Sequence, residues 1–252
     1  MNLKNKVVLV TGIGKGIGNQ IFFDCLNNAD FTYGILRNRT DLNKIKKKIN
    51  NQKCKIFLGD ISNQNIVNNV IKHSKKNRIK INCLVNNAGE RQRENFLSLN
   101  KKKIFHIFEK NFFSHFFLTQ KIVSEFCNEN KGSLSIVNIG SIVGIKGFSQ
   151  LTGYASTKQA LDAFTKSLAI EMADKKKRIR VNIVHPGFIK TSYYENFKKK
   201  RKKLYNWTLS KIPLKKWGSS SDISNLVCFL LSDDSKYING QSIISDGGWT
   251  IG

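Results

Sequence analysis

A tyrosine and a lysine four positions apart, Tyr154 and Lys158, are the residues most suited to chemistry. On a helix this spacing places both side chains on one face. A nearby cation favours the phenolate, so the pair predicts a tyrosine whose pKa is lowered enough to exchange a proton near neutral pH. Tyr194 and Lys198 share the spacing, but Tyr154 lies 13 residues after Ser141, which follows a strand-like run, and Tyr194 has no such partner.

A second signature is the glycine-rich segment Thr11–Gly18, which follows an apolar run. Its spacing fits T-G-x-x-x-G-x-G and not G-x-G-x-x-G. Glycines permit a tight turn and a close approach to a pyrophosphate, and the following helix offers free N–H groups and its positive dipole end. The segment therefore predicts a dinucleotide-binding loop. The predicted contacts are Gly12, Gly14, Lys15, Gly16, Ile17 and Gly18.

The end of the second predicted strand bears on which dinucleotide is bound. An acid at this place binds a ribose 2′-hydroxyl, whereas an arginine accommodates a 2′-phosphate. The sequence reads Leu36-Arg37-Asn38-Arg39, without an acid. Arg37 and Lys15 can pair with a dianionic phosphate, Arg37 through two donors. We therefore expect a dinucleotide with a 2′-phosphate to be preferred over one without it.

Seven short runs rich in Val, Ile, Leu or Phe alternate with stretches long enough for helices, as in a parallel sheet covered on both faces. We predict an α/β fold, a Rossmann-type doubly wound sheet in one domain spanning 1–252. Residues 191–217 interrupt the alternation and carry the basic run Lys198–Lys203, which indicates a mobile basic lid over a ligand crevice. The predicted strands are Lys6–Val10, Phe31–Leu36, Lys53–Leu58, Asn82–Val85, Ser133–Asn138, Arg180–Val184 and Ser242–Ile244.

Composition narrows the class of protein. The 252 residues, 40% of them hydrophobic, can bury a large core. No apolar run of about 18 residues and no signal peptide is visible, so we expect a cytoplasmic protein without a membrane segment. Five widely spaced cysteines without a CxxC motif indicate reduced thiols and no metal site. The net charge of +26 suggests nucleic-acid binding, but its basic runs (46–48, 101–103, 175–178 and 198–203) are scattered, so we predict no dedicated nucleic-acid site.

Together these residues resemble the short-chain dehydrogenase/reductase family over nearly the whole chain. Further matches are Asp60-Ile61, Asn86–Gly89, Asn111 in a long helix, the 186–191 segment and the 246–248 tail. The resemblance implies a nicotinamide dinucleotide, so with Arg37 and Lys15 we expect NADP(H) to be preferred over NAD(H). It also implies a seven-stranded sheet and a catalytic tetrad. The implied tetrad is Asn111, Ser141, Tyr154 and Lys158. The implied cofactor contacts outside the glycine loop are Arg37, Asp60 (facing the adenine), Ile61, Asn87, Ala88, Gly89, Tyr154, Lys158, Pro186, Gly187, Ile189 and Thr191.

The resemblance also implies a mechanism. A reduced nicotinamide gives a hydride to a carbonyl carbon, Ser141 and Tyr154 meet the developing oxyanion, and Tyr154 delivers the proton. Lys158 holds the nicotinamide ribose, Asn111 supports a water that refills the proton, and Thr191 holds the carboxamide. Within the family, the last third of the chain is similar to 3-oxoacyl-[acyl-carrier-protein] reductases. That pattern is shared by sugar and other secondary-alcohol dehydrogenases, which remain the alternative.

Two departures from those reductases stand out. Glu90–Arg93 replaces an expected apolar residue, and the stretch 128–130 lacks the basic pair that such reductases offer to the acidic carrier. A different hypothesis is a dinucleotide-fold subunit that has lost catalysis, but the intact tetrad argues against it. The helix near 101–127 has more apolar surface than one packing face requires, which predicts a homo-oligomer, most simply a homotetramer.

Overall fold

The chain forms a parallel sheet flanked by helices in a computed structural model that describes residues 2–49, 53–129, 132–175, 178–191 and 194–252. The strands are β1 (Leu3–Thr11), β2 (Ala29–Leu36), β3 (Cys54–Leu58), β4 (Cys83–Asn86), β5 (Leu134–Ile139), β6 (Ile179–Pro186), β7 (Ile189–Lys190), β8 (Gly218–Ser219) and β9 (Ser242–Ser245). The α-helices are α1 (Gly16–Asn28), α2 (Arg39–Lys46), α3 (Gln64–Asn77), α4 (Lys101–Phe108), α5 (Ser114–Glu129), α6 (Ile142–Ile145), α7 (Thr152–Asp174), α8 (Tyr194–Lys200), α9 (Lys202–Lys211) and α10 (Ser220–Leu231).

Seven strands form one sheet in the order β3-β2-β1-β4-β5-β6-β9, and all neighbours are parallel. The predicted fold class and its seven strands are therefore confirmed. The first strand begins earlier than predicted, at Leu3, with an irregular register up to Val7. The short β7–β8 pair escaped prediction because two-residue strands carry no alternation pattern.

Two apolar clusters cover the two faces of the sheet. Val8 and Val10 of β1 belong to a cluster with α1 and α10, whereas Leu9 belongs to the opposite cluster with α3, α5 and α7. Successive strand residues point to opposite faces, so a central strand packed on both sides must be apolar throughout. Within the described ranges, no helix combines the length and apolarity that crossing a membrane requires.

The predicted lid segment contains two helices, α8 and α9. Its Phe197, Ile212 and Trp217 are buried in a third apolar cluster with Ile142 and Trp249. The basic run Lys198–Lys203 is exposed on these helices. Ser192 and Tyr193 of the predicted lid, Lys176 and Lys177 of a basic run, and Asn130 lie outside the described residues.

Candidate active site

Two adjoining cavities lie at the carboxyl ends of the strands, where the strand order reverses between β1 and β4 and open α/β sheets bind ligands. The larger, of about 630 Å³, is the glycine-loop cavity. The smaller, of about 340 Å³, is the tyrosine cavity. The glycine-loop cavity is lined by Gly12, Gly14, Lys15, Gly16, Ile17, Gly18, Arg37, Asp60, Ile61, Asn87, Ala88 and Gly89. The tyrosine cavity is lined by Ser141, Tyr154, Lys158, Pro186, Gly187 and Ile189, and Thr191 lines both.

The glycine loop is fixed by the segment that follows β4. The Thr11 hydroxyl accepts hydrogen bonds from the backbone N–H groups of Asn87 and Ala88 at 3.0 and 3.1 Å. The Asn87 amide donates to the Thr11 and Gly12 carbonyls at 2.9 and 3.2 Å. A Cβ on Gly18 would overlap that amide. The Asn-Ala-Gly motif therefore locks the loop as well as lining the cavity.

The start of α1 fits a phosphate group. Its N-cap residue, Lys15, makes no side-chain cap, whereas Asn38, Asn63, Asn100 and Ser219 cap α2, α3, α4 and α10. The first N–H groups of a helix need an acceptor, and a phosphate oxygen satisfies them together with the positive dipole end. The uncapped turn beside the glycines is thus suited to the pyrophosphate of a dinucleotide.

Charged side chains form the rim of the glycine-loop cavity. Arg37 Nη1 donates to Glu90 Oε1 at 2.5 Å and lies 3.4 Å from Asp60 Oδ2. Lys110 Nζ donates to Asp60 Oδ2 at 2.7 Å. Burial alone would raise the pKa of Asp60, but hydrogen bonds from Lys110 and Ser62 hold it well below its usual range. Asp60 is therefore an anion at neutral pH, and its charge is already balanced.

Lys158 and Tyr154 meet in the tyrosine cavity, where β5 ends and α7 begins. Lys158 Nζ donates to the Ile139 carbonyl at 2.8 Å and lies 5.9 Å from the centre of the Tyr154 ring. Burial lowers the pKa of Lys158 to about 8. Burial also raises the pKa of Tyr154, against smaller lowering effects of Ser141 and the charge of Arg91. The expectation that Lys158 lowers the pKa of Tyr154 is therefore wrong for the protein without bound ligands, because burial raises this pKa.

Ser141 is held from behind by a histidine that the sequence did not reveal. The Ser141 hydroxyl accepts from the Val143 N–H at 3.2 Å and caps α6. His185, fully buried, places Nδ1 at 3.2 Å from the Ser141 backbone nitrogen, while its Nε2 lies 3.0 Å from Asp162 Oδ1. The carboxylate accepts a hydrogen bond from the proton on Nε2, while Nδ1 lies near both the backbone nitrogen and, at 3.1 Å, the carbonyl oxygen of Ser141.

Asn111 lies behind the cavity wall and is fully buried. It belongs to a π-helical turn, Glu109–Phe113, that joins α4 to α5; such turns frequently mark functional sites. Its side-chain oxygen accepts from the Glu90 N–H at 2.8 Å, and its amide donates to the Glu90 carbonyl and to Thr157 at 2.9 and 3.2 Å. Asn111 therefore fixes the chain just beyond Gly89.

Several lining residues were missed from the sequence. Phe148, Phe188, Phe197 and Trp217 line the tyrosine cavity. They come from four separate segments, so no local pattern could unite them. Asp41, Glu90 and Lys110 line the glycine-loop cavity. Of these, only Glu90 carried a signal, as the unexpected charged residue after Gly89. Among the described residues no cluster of His, Cys, Asp or Glu could hold a metal ion.

Comparisons with known proteins agree with this geometry. A short-chain dehydrogenase family model described as enoyl-(acyl carrier protein) reductase matches residues 12–250. A 3-oxoacyl-[acyl-carrier-protein] reductase of Buchnera aphidicola subsp. Baizongia pistaciae is 31% identical over 249 residues, which cover 98% of both chains.

Two solved structures extend the comparison. A 4-hydroxyisoleucine dehydrogenase mutant complexed with NADH and succinate superposes with a TM-score of 0.89 at 27% identity, covering 98% of this chain and 99% of that one. An ElxO variant with NADPH bound gives a TM-score of 0.87 at 27% identity and the same coverage. The chain therefore belongs to the short-chain dehydrogenase/reductase family and is an oxidoreductase that uses a nicotinamide dinucleotide.

Proposed function

We propose that this protein is an NADP(H)-dependent carbonyl reductase that converts 3-oxoacyl-[acyl-carrier-protein] into the 3-hydroxyacyl form in the cytoplasm. The observation that carries the reductase chemistry is the convergence of Ser141, Tyr154 and Lys158 in a cavity that opens into the glycine-loop cavity. The test is oxidation of NADPH, followed by absorbance, with a panel of ketones and thioesters. Absence of turnover with intact cofactor binding would favour the non-catalytic subunit instead.

Two residues act on the carbonyl oxygen of the substrate. When bound, the reduced nicotinamide supplies the hydride. The Ser141 hydroxyl donates a hydrogen bond to the developing oxyanion, and the Tyr154 hydroxyl donates both a hydrogen bond and then the proton. A tyrosine that is protonated at neutral pH, as burial of Tyr154 favours, is the correct starting state for this step.

Lys158 and Asn111 support the return of that proton. A Cβ on Gly89 would lie 3.0 Å from Asn111 Oδ1 and 3.8 Å from Lys158 Nζ, so the absence of a side chain there leaves space between the two. A water in this space can bond both groups and pass a proton toward Lys158 and Tyr154. Lys158 would also donate to the nicotinamide ribose, and Thr191, which lines both cavities, would hold the carboxamide.

The preference for NADP(H) rests on Arg37 and Lys15. Both line the cavity at the end of β2 and the start of α1, and Lys15 is exposed there. A charge-assisted hydrogen bond is worth about 1.5–3 kcal/mol, or about ten- to a hundredfold in binding. The double variant Leu36→Asp/Arg37→Ile should reverse the preference. Equal dissociation constants for NADH and NADPH in the unmodified protein would contradict this assignment.

The carrier-protein substrate is supported by the C-terminal likeness and by exposed basic residues. Acyl carrier proteins are acidic, so Arg178 and the run Lys198–Lys203, on α8 and α9, would steer one toward the site. The test compares kcat/KM for a carrier-bound 3-oxoacyl thioester with that for the same acyl group on a short thiol. The carrier advantage should shrink as salt approaches physiological strength, where the Debye length is about 8 Å.

A second candidate is a dehydrogenase of a sugar or another small secondary alcohol or ketone. The 340 Å³ volume and aromatic walls of the tyrosine cavity favour a compact, largely apolar ketone within that class. Good activity on such a ketone, with none on the thioester, would establish this alternative. No carrier advantage at low salt would point the same way.

We also propose that the protein is a homotetramer. Val123 and Phe126 of α5 are buried in the core, but Phe105, Phe113 and Phe117 are exposed along α4, the π-helical turn and α5. An apolar stripe that remains exposed in one subunit is suited to a partner copy. Light scattering at micromolar protein should give four times the mass of the chain, and a monomeric mass would contradict the proposal.

A further inference from the structure

Glu90 is the residue at which this chain departs from the apolar position expected after Gly89. Its side chain is about 30% exposed and lies at the junction of the two cavities. Oε1 accepts from Arg37 Nη1 at 2.5 Å, and Oε2 lies 2.8 Å from His106 Nε2. The Glu90 backbone is held in both directions by Asn111. The carboxylate is therefore aimed at Arg37 by a fixed backbone.

Two carboxylates lie close to Nη1 of Arg37, but they differ in how many other side chains they bind. Asp60 lies at 3.4 Å and also binds Lys110 and the Ser62 hydroxyl. Glu90 lies at 2.5 Å, and its other side-chain partner among the described residues is the half-exposed His106. Glu90 is thus the carboxylate that interacts more strongly with the Arg37 guanidinium.

We propose that Glu90 limits the selectivity of this enzyme for NADPH over NADH by competing with a 2′-phosphate for Arg37. The proposal rests on the NADP(H) assignment made above. A phosphomonoester carries nearly two negative charges at neutral pH, so it must approach Arg37 against the charge of Glu90. A dinucleotide without that phosphate does not need Arg37. Glu90 therefore weakens NADPH binding selectively and narrows the preference that Arg37 creates.

The test is Glu90→Gln, which keeps the shape of the side chain and removes its charge. Its backbone bonds to Asn111 do not involve the substituted atoms. Dissociation constants for NADPH and NADH are measured by nicotinamide fluorescence at low salt. We expect the constant for NADPH to fall about three- to tenfold, as for one partly exposed charge pair, and that for NADH to change less than about twofold.

A matched control is Glu94→Gln, four residues further along the same loop. Glu94 pairs with Lys103 and is similarly exposed, at 26% against 30% for Glu90, but it does not line either cavity. It reports the effect of losing one negative charge near the site. The dissociation constants of Glu94→Gln for NADPH and NADH should both stay within about twofold of the unmodified protein. A larger change would mean that loss of any negative charge near the site explains the effect of Glu90→Gln.

The same substitution in an Arg37→Met background tests the route. If Glu90 acts mainly through Arg37, Glu90→Gln should change the NADPH constant much less there than in the unmodified protein. Equal tightening of NADH and NADPH, unchanged NADPH binding, or an undiminished effect in the Arg37→Met background would overturn the proposal. If Arg37→Met alone leaves NADPH binding unchanged, the cofactor assignment itself is wrong and the inference falls with it. If Arg37→Met weakens NADPH binding but Glu90→Gln has no effect, only the inference fails.

Discussion

The glycine-loop cavity and the tyrosine cavity adjoin each other but are built differently. The first is shaped by glycines, backbone groups and the uncapped start of α1, with charged residues at its rim. The second has catalytic-type side chains on one side and aromatic side chains on the other. Phe197 of α8 and Trp217, which lies beyond α9, line this cavity and belong to an apolar cluster with Trp249.

The two cavities therefore place different demands on their ligands: the first suits a feature common to all dinucleotides, and the second suits a substrate of particular shape. Backbone N–H groups and glycine surfaces suit any dinucleotide with a pyrophosphate. Aromatic walls such as Phe148 and Phe188 select by shape, and their identities can change without altering the glycine loop. We therefore expect substitutions in one cavity to leave the other ligand's binding largely unchanged, which the following variants test from the largest effect to the smallest.

Tyr154→Phe should nearly abolish turnover while leaving the NADPH dissociation constant unchanged. Loss of general acid catalysis reduces kcat by about 10²–10⁴-fold. The control is Tyr194→Phe, whose hydroxyl lies 3.0 Å from the Tyr205 hydroxyl within the predicted lid segment. Steady-state kinetics measure kcat, and titration measures the NADPH dissociation constant. Similar losses of kcat in both variants would show that Tyr154 is not the specific proton donor.

Gly18→Ala should damage the glycine-loop cavity. A Cβ there would overlap the Asn87 amide and the Gly12 carbonyl, which must shift. Overpacking of this kind costs about 1–3 kcal/mol, and the loop proposed to bind the pyrophosphate would move with it. Urea unfolding should show the lost stability, and titration should show NADPH binding weakened at least about tenfold. Gly147→Ala is the control, since an added Cβ there meets no atom within 4 Å. A comparable loss of stability and NADPH binding in this control would show that overlap with Asn87 is not the cause.

Lys158→Met should change how stability depends on pH. The pKa of Lys158 is lowered by burial to about 8, below its ordinary value of 10.5, so the unfolded chain binds more protons between these values. The contribution of Lys158 to stability therefore rises as pH increases from about 8 to 10.5. Between roughly pH 7.5 and 9.5 the unmodified protein should gain roughly 2 kcal/mol of unfolding free energy relative to the variant. Identical pH slopes would show that Lys158 is better solvated than the structure indicates.

Phe148→Ala should have the smallest effect and should act on the substrate alone. Phe148 stacks on Trp249 with ring centres 5.0 Å apart and forms part of the tyrosine-cavity wall. Truncating the ring removes apolar contact from a bound ketone, and each buried CH₂ is worth about 0.8 kcal/mol, so KM for a small ketone should rise about two- to tenfold, and bulkier ketones should become relatively better substrates. NADPH binding should not change. Tyr237→Ala, at a fully exposed aromatic position, is the control.

Much of the glycine-loop cavity could be predicted because its parts are contiguous. Thr11–Gly18 contains the strand end, the turn and the helix start in eight residues, and the apolar runs identify the seven strands. Arg37 follows directly from the end of β2. Its partner Glu90 stood out as an unusual residue, but nothing in the order of residues showed that the two side chains meet. That meeting depends on β2 and β4 ending at one edge of the sheet.

The sequence by itself determined the α/β class and the strands, and it predicted the dinucleotide loop and the choice of Tyr154 over Tyr194, since each depends on neighbouring residues or on one strand–helix unit. Only the tertiary structure decided that the pKa of Tyr154 is raised, because desolvation depends on everything packed around the phenol. It also decided that Asn111 holds Glu90 and that four distant aromatic residues form one wall. These contacts join residues that are far apart in the chain, and only the folded arrangement of strands and helices brings them together.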